Sequence, residues 1–224
     1  ESKDTLIESR SIGSYVEEEI NLKGRLFVTA ALRFDDNSAF GQNFNATAYP
    51  KASASWLISD EPFFHASSIS TLRLRGAYGA SGQQPGTTDA LRYYGAVGGK
   101  KNGVGTTGVS FASIGNANLK PERSTEFEAG VDAGLFRDRL SIELTYYNKL
   151  TKDALILRDV APSLGASPNQ FVNLSRIRNQ GFELAISGRI IDKPSVAWDV
   201  TLSGSTTKNK ILELGAGVSP IFVG

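Results

Sequence analysis

The stretch that most constrains the fold is Thr125 to Thr151, TEFEAGVDAGLFRDRLSIELTYYNKLT. Its odd positions run Thr125, Phe127, Ala129, Val131, Ala133 and Leu135, and its even positions Glu126, Glu128, Gly130, Asp132, Gly134 and Phe136. Alternate side chains of a strand point to opposite faces, so this period of two gives one apolar face and one face of carboxylates and glycines. After a polar turn at Arg137, Asp138 and Arg139 the alternation resumes, with Leu140, Ile142, Leu144 and Tyr146 against Ser141, Glu143, Thr145, Tyr147 and Lys149. Each arm is about ten residues or more. Soluble strands run about five or six, whereas a tilted strand crossing a bilayer takes about 9–11. The hairpin is predicted to be two staves of a membrane barrel.

The same alternation predicts strands near 11–22, 25–36, 48–59, 70–80, 125–136, 139–151, 179–190 and 196–207. Except in the first, where Glu18 shares it, and at Asp36, where the second gives way to a loop, the apolar face carries no charge. Long connections are expected at 81–124, a Gly- and Thr-rich stretch with little periodicity, and at 153–178, which holds Pro162, Gly165 and Pro168. Taken together the connections alternate, short after the first, third, fifth and seventh strands and longer after the second, fourth and sixth, as in outer-membrane barrels with short periplasmic turns and longer external loops. Trp56, Trp198, Tyr78 and Tyr146 fall toward predicted strand ends, where an interfacial aromatic girdle would lie. The fold class read from these patterns is all-β, an antiparallel up-and-down transmembrane β-barrel segment. An antiparallel sandwich, acting as a surface binding or adhesion module, alternates in the same way and stays open at this point.

A net charge of +1, with no basic run interleaved with aromatics, argues against a nucleic-acid surface. Cys is absent, which excludes disulfides, thiol nucleophiles and Cys-held metals. With no Met and no signal peptide at its start, the chain is expected to be a piece of a longer protein. No run of about 18 apolar residues could cross a membrane as a helix, and a barrel would leave no such run.

On a barrel wall, Arg33, Arg73, Arg75, Glu126, Glu128, Asp132, Glu143 and Arg189 are expected to face the lumen as wetted charges, paired among themselves or against an inner domain. Leu72, Leu74, Phe127, Val131, Leu144, Leu184, Ile186 and Trp198 are expected to face lipid. Tyr93, Tyr94 and Phe111, in the 81–124 connection, are the candidate ligand contacts, since aromatics there could stack on a sugar or peptide. Catalytic residues are not predicted: a Ser-His-Asp arrangement would have to pass through His65, the single His, which has no partner pattern around it. Neither a metal nor a cofactor is predicted, because one His and no Cys leave only oxygen ligands and Asp35, Asp36 and Asn37 lack EF-hand spacing.

Five ordered phrases carry a family resemblance. Ile114 to Ile156 resembles the barrel signature of SusC/RagA-type TonB-dependent outer-membrane transporters, and RFDDNSAFG (Arg33 to Gly41) resembles a strand end of that family. YPKASASWLISDEPF (Tyr49 to Phe63), LRLRGAYGASG (Leu72 to Gly82) and Asn179 to Glu183 resemble further segments, with Gln83, Lys51 and Ala52 departing from the usual residues. The resemblance implies about eight strands of a larger plugged barrel in the bacterial cell outer membrane. It also implies a plug domain and signal peptide outside this sequence. It further implies import of a bulky nutrient, glycan or peptide. Expected partners are outer-membrane lipid, a SusD-type surface lipoprotein and the TonB complex acting through the plug, with no nucleic acid.

Overall fold

The computed structural model describes residues 8–38, 46–161, 163 and 169–214. The end of the RFDDNSAFG phrase, and Pro162, Gly165 and Pro168, lie outside the described residues. Ten strands form in chain order: β1 (Ser11–Leu22), β2 (Leu26–Asn37), β3 (Thr47–Leu57), β4 (Ile69–Gln83), β5 (Tyr93–Lys101), β6 (Val104–Ser113), β7 (Glu122–Leu135), β8 (Leu140–Asp159), β9 (Asn169–Lys193) and β10 (Val196–Glu213). Eight of them make one sheet in the order β1-β2-β3-β4-β7-β8-β9-β10, and β5 and β6 pair separately. All the pairs are antiparallel.

Two of the expected connections are corrected. The stretch 81–124 is not one loop: β4 runs on to Gln83, β7 begins at Glu122, and a hairpin of β5 and β6 fills the interval, turning at Asn102 and Gly103 with positive φ. Glycines on both faces hid the period, because Gly95, Gly98, Gly99, Gly105 and Gly108 have no side chain to mark a side. The stretch 153–178 is likewise mostly strand, since β8 continues to Asp159 and β9 starts at Asn169. There the pattern is broken by a bulge between Thr151 and Ala154, with Asp153 at φ 54°, which shifts the phase of everything beyond it.

At the opposite end β1–β2, β7–β8 and β9–β10 are joined by tight turns, and β3–β4 by a longer connection that opens with a 3-10 turn at Ile58–Asp60. Lys23 and Gly24 join β1 to β2 in the left-handed region, and Asn21 Oδ1 accepts from Gly24 N at 2.8 Å. Phe136, Arg137 and Asp138 all take φ near 57–59° between β7 and β8. That turn is anchored on the start of β4, with Asp138 N donating to Ser70 Oγ at 3.1 Å and Phe136 N to Ser68 O at 3.0 Å.

Register decides which side chains share a face. Leu74, Val131, Leu144 and Leu184 occupy one cross-strand row, and Leu72, Ala133, Ile142, Ile186 and Leu202 the row beside it. Among the described residues nothing packs over this face as a second layer, and Leu74, Phe127, Val131, Leu144, Leu184, Trp198 and Leu202 are exposed. The buried apolar residues are scattered (Tyr49, Leu119, Ala154, Val172) rather than gathered in a core. The accessible surface is 15635 Å², where a compact 24.0 kDa chain would expose roughly 9,900 Å². A sandwich, which must bury its apolar face, does not fit. What remains is an open antiparallel sheet with its large apolar side chains facing outward, a segment of an unclosed barrel.

Candidate functional site

On the other face the charges pair by register. Arg75 reaches across β7 to β8: its Nε lies 3.0 Å from Asp132 Oδ1 and its Nη2 donates to Thr145 Oγ1 at 2.6 Å. Gly130, opposite Arg75, makes room, since a Cβ there would lie 2.7 Å from the guanidinium carbon. Asp132 stands directly opposite Glu143, a like-charge pair that Arg75 relieves on the Asp132 side. Glu126 pairs with Lys149 at 3.8 Å, Arg33 with Asp35 at 2.8 Å, and Arg189 with Asp199 at 2.9 Å and Asp192 at 4.0 Å. Lys149 and Asp199 were not among the expected partners, because cross-strand pairing decides them and no local spacing announces it; Asp35, two residues from Arg33 on the same face of β2, was within reach of the alternation and was not read from it. Arg73 shares with Arg75, Glu128, Ser53 and Ser55 a shallow hollow of about 220 Å³ on this face. Glu143 and Glu183 line a second one on β8 and β9 with Thr145, Ser203 and Ser205.

The residues expected to face lipid, Leu72, Leu74, Phe127, Val131, Leu144, Leu184, Ile186 and Trp198, all fall on the apolar face by register. Leu72 and Ile186 are half-buried and the other six exposed. The aromatics divide. Trp56 and Trp198 sit within two residues of the tight-turn ends of β3 and β10, whereas Tyr78 and Tyr146 lie inside strands longer than the sequence suggested. Trp56 is held there by Nε1 donating to Glu61 Oε1 at 2.9 Å, with Phe63 edge-on at 6.3 Å. The row through Trp56 meets β10 at Gly204, six residues beyond Trp198. Six residues are about 20 Å along a strand, and five strand spacings about 24 Å across the sheet. The line joining the tryptophans is therefore inclined by about 40° to the rows, so it lies level in a barrel whose strands tilt by about 35–45°.

Tyr93, Tyr94 and Phe111, expected in an irregular loop, stand on strands of the β5–β6 hairpin. Tyr94 stacks on Phe111 with ring centroids 4.7 Å apart, and the Arg92 guanidinium lies 5.9 Å from the Phe111 ring. Phe111, but neither tyrosine, lines a cleft of about 540 Å³ that it shares with Arg92, Ile114, Arg158, Asp159, Val160, Ala161 and Gln170. The cleft lies where the chain leaving β6 is tied to β9: Gln170 Nε2 donates to Gly115 O, Asn116 Nδ2 to Phe171 O at 3.0 Å, and Asn173 exchanges bonds with Lys120 at 2.8 and 2.9 Å. Arg92, Arg158 and Gln170 were missed because they come from three separate segments. His65 is exposed, with its Nδ1 2.8 Å from Phe63 O. Among the described residues no group of three or more His, Cys, Asp or Glu could hold a metal ion.

Residues 2–218 match the family model described as TonB dependent receptor-like, beta-barrel. The chain is 32% identical over 197 residues to TonB-dependent receptor P26 of Formosa agariphila, covering 86% of this chain and 20% of that protein. It is 25% identical over 203 residues to TonB-dependent receptor SusC of Bacteroides thetaiotaomicron, covering 88% and 20%. Among solved structures, the RagAB peptide transporter superposes with a TM-score of 0.84 at 22% identity, over 94% of this chain and 23% of that one. The siderophore receptor PirA of Pseudomonas aeruginosa superposes with a TM-score of 0.61 at 18% identity, over 91% and 37%. The chain spans about a fifth of the length of the curated relatives it matches.

Proposed function

The chain belongs to the TonB-dependent receptor-like β-barrel family, whose members sit in the bacterial outer membrane, and from that premise we propose that it forms part of the wall of an importer for a bulky nutrient of the glycan or peptide class. The family is one of receptors and transporters rather than enzymes. One observation carries the reading: a single antiparallel sheet that leaves its apolar face uncovered and lines the other with paired charges. Apolar side chains toward lipid and charge toward a wet lumen are what a transmembrane barrel requires. In this reading Glu126, Glu128, Asp132, Glu143, Arg33, Arg73, Arg75 and Arg189 face the lumen and the plug of the whole protein.

The β5–β6 hairpin and its cleft lie at the long-connection end, which takes the external side. There Phe111, Arg92 and Arg158 offer a ring edge and two cations to a ligand, and Tyr93 and Tyr94 extend the aromatic surface. The likeness to a peptide importer supports a peptide, and the SusC relationship supports a surface lipoprotein of the SusD type as lid. Energy would come from the TonB complex through the plug.

The test uses the full-length receptor in its native membrane. These 224 residues hold no Cys, so once any Cys elsewhere in the receptor is replaced, single Cys substitutions at Phe127, Ala129 and Val131 can be compared with those at Glu126, Glu128 and Asp132. The first set is expected to resist a water-soluble thiol reagent and the second to react. Reaction of both sets alike would defeat the wall assignment. Nutrient uptake by cells carrying the receptor is expected to stop when energy coupling is removed; uptake that continues would defeat import.

A further inference from the structure

The apolar face changes character sharply at one height. Along β9 its residues run Ile186, Leu184, Phe182, Gln180, Arg178, and along β10 Leu202, Gly204, Thr206, Lys208, Lys210. Register puts Lys210 directly opposite Arg178, and Lys208 opposite Gln180, whose row continues to Asn148. All three cations are exposed. They lie on the same face as Leu184 and Leu202, opposite to the face of Glu126, Lys149 and Asn179.

Two cations directly opposite each other on one face destabilise a strand pair unless an anion lies between them. None is supplied by the described residues: no ion pair involves Arg178, Lys208 or Lys210, and the neighbouring carboxylate, Glu213, is held by Arg176 at 3.2 Å. Height identifies what could supply it. Lys208 lies ten residues beyond Trp198 on β10, about 33 Å along the strand and roughly 25 Å vertically at a 40° tilt. That is about the height of the apolar band of an outer-membrane barrel. With Trp198 at the interface of the tight-turn end, the cations reach the headgroup level of the opposite leaflet.

We propose that Arg178, Lys208 and Lys210 form a site on the outward face for the phosphate of an anionic lipid headgroup in the external leaflet, with Gln180 and Asn148 beneath it as amide donors. The spacing suits one phosphate. Directly opposed residues have Cβ atoms about 4.5–5.5 Å apart, and a guanidinium and an ammonium from such positions can close on the same oxyanion. The site is independent of the nutrient, but it rests on the apolar face meeting lipid.

The experiment compares the full-length receptor with its R178Q/K208Q/K210Q variant in nanodiscs of neutral phosphatidylcholine doped with lipid A, dephosphorylated lipid A or phosphatidylglycerol. Lipid retained on extraction is read by native mass spectrometry. Each cation near an anionic surface is worth about fivefold in association, so the variant is expected to lose roughly 100-fold in retention of lipid A. Retention of dephosphorylated lipid A should be low for both proteins. Preference for lipid A over phosphatidylglycerol would assign the site to a glycolipid phosphate, and equal retention of these two to any lipid phosphate; both outcomes support an anionic headgroup. Equal retention of phosphorylated and dephosphorylated lipid A, or an unchanged variant, would overturn the proposal. So would a variant that keeps its lipid and loses only a surface lipoprotein, which would make the strip a protein interface. Failure with Phe127, Ala129 and Val131 still shielded in the thiol test leaves the wall assignment standing; failure with those positions reactive removes both.

Discussion

Leu184→Arg is the substitution on which the reading of the two faces turns. Midway along β10 between Trp198 and Lys208, which the proposed wall puts at the two interfaces, is Ser203, which lies opposite Ala185 on β9. One strand spacing at a 40° tilt raises the level by about one residue, which brings the midplane of the band on β9 to Leu184. Leu184 is 40% exposed on the apolar face. An Arg on the lipid face of a barrel costs about 2–4 kcal/mol at the midplane and about 0–1 kcal/mol near the interfaces. Its sequence neighbour Glu183 points to the other face, beside Glu143 and Thr145, where an added cation meets carboxylates and water. The full-length receptor would be unfolded with guanidinium in phosphocholine vesicles and followed by Trp fluorescence. Leu184→Arg is expected to lower stability by about 3 kcal/mol, and Glu183→Arg to stay within about 0.5 kcal/mol of wild type. On an exposed face that meets water, Leu184→Arg would be harmless. Equal stabilities for the two variants would therefore refute the assignment of faces.

Three further outcomes follow from the same structure. Arg75→Met leaves Asp132 opposite Glu143 unrelieved and should cost about 1 kcal/mol; adding Asp132→Asn should recover most of it, and a double-mutant cycle showing additivity would deny the coupling. Arg137→Gly, in a turn where Arg137 has φ 59°, should raise stability by about 0.5–1 kcal/mol, read as a higher guanidinium midpoint; a lower midpoint would mean that the arginine side chain contributes more than the strain. The 224-residue chain by itself, with its apolar face uncovered and β1 and β10 at open edges, should aggregate without detergent; a monodisperse, folded species in sedimentation velocity without detergent would contradict this.

What could be read from the sequence was whatever repeats every second residue. Leu140, Ile142, Leu144 and Tyr146 declare a face by themselves, and the eight long strands of the main sheet stand where such runs stand. The β5–β6 hairpin was illegible because its alternate positions are largely glycine, threonine and valine, residues that do not distinguish an inner from an outer side. The site was harder to read than the fold for a different reason. Arg75 meets Asp132 across 57 residues, and Lys149 meets Glu126 only because Thr125 pairs with Leu150 beside them. A shift of one residue in that register would exchange the two faces entirely. The ion pairs and the apolar belt therefore depend on the same pairing: the register that brings Arg75 to Asp132 also aligns Leu74, Val131, Leu144 and Leu184 on the opposite face. This sheet cannot have one without the other, so measurement of the Arg75–Asp132 coupling also tests the register on which the apolar face depends.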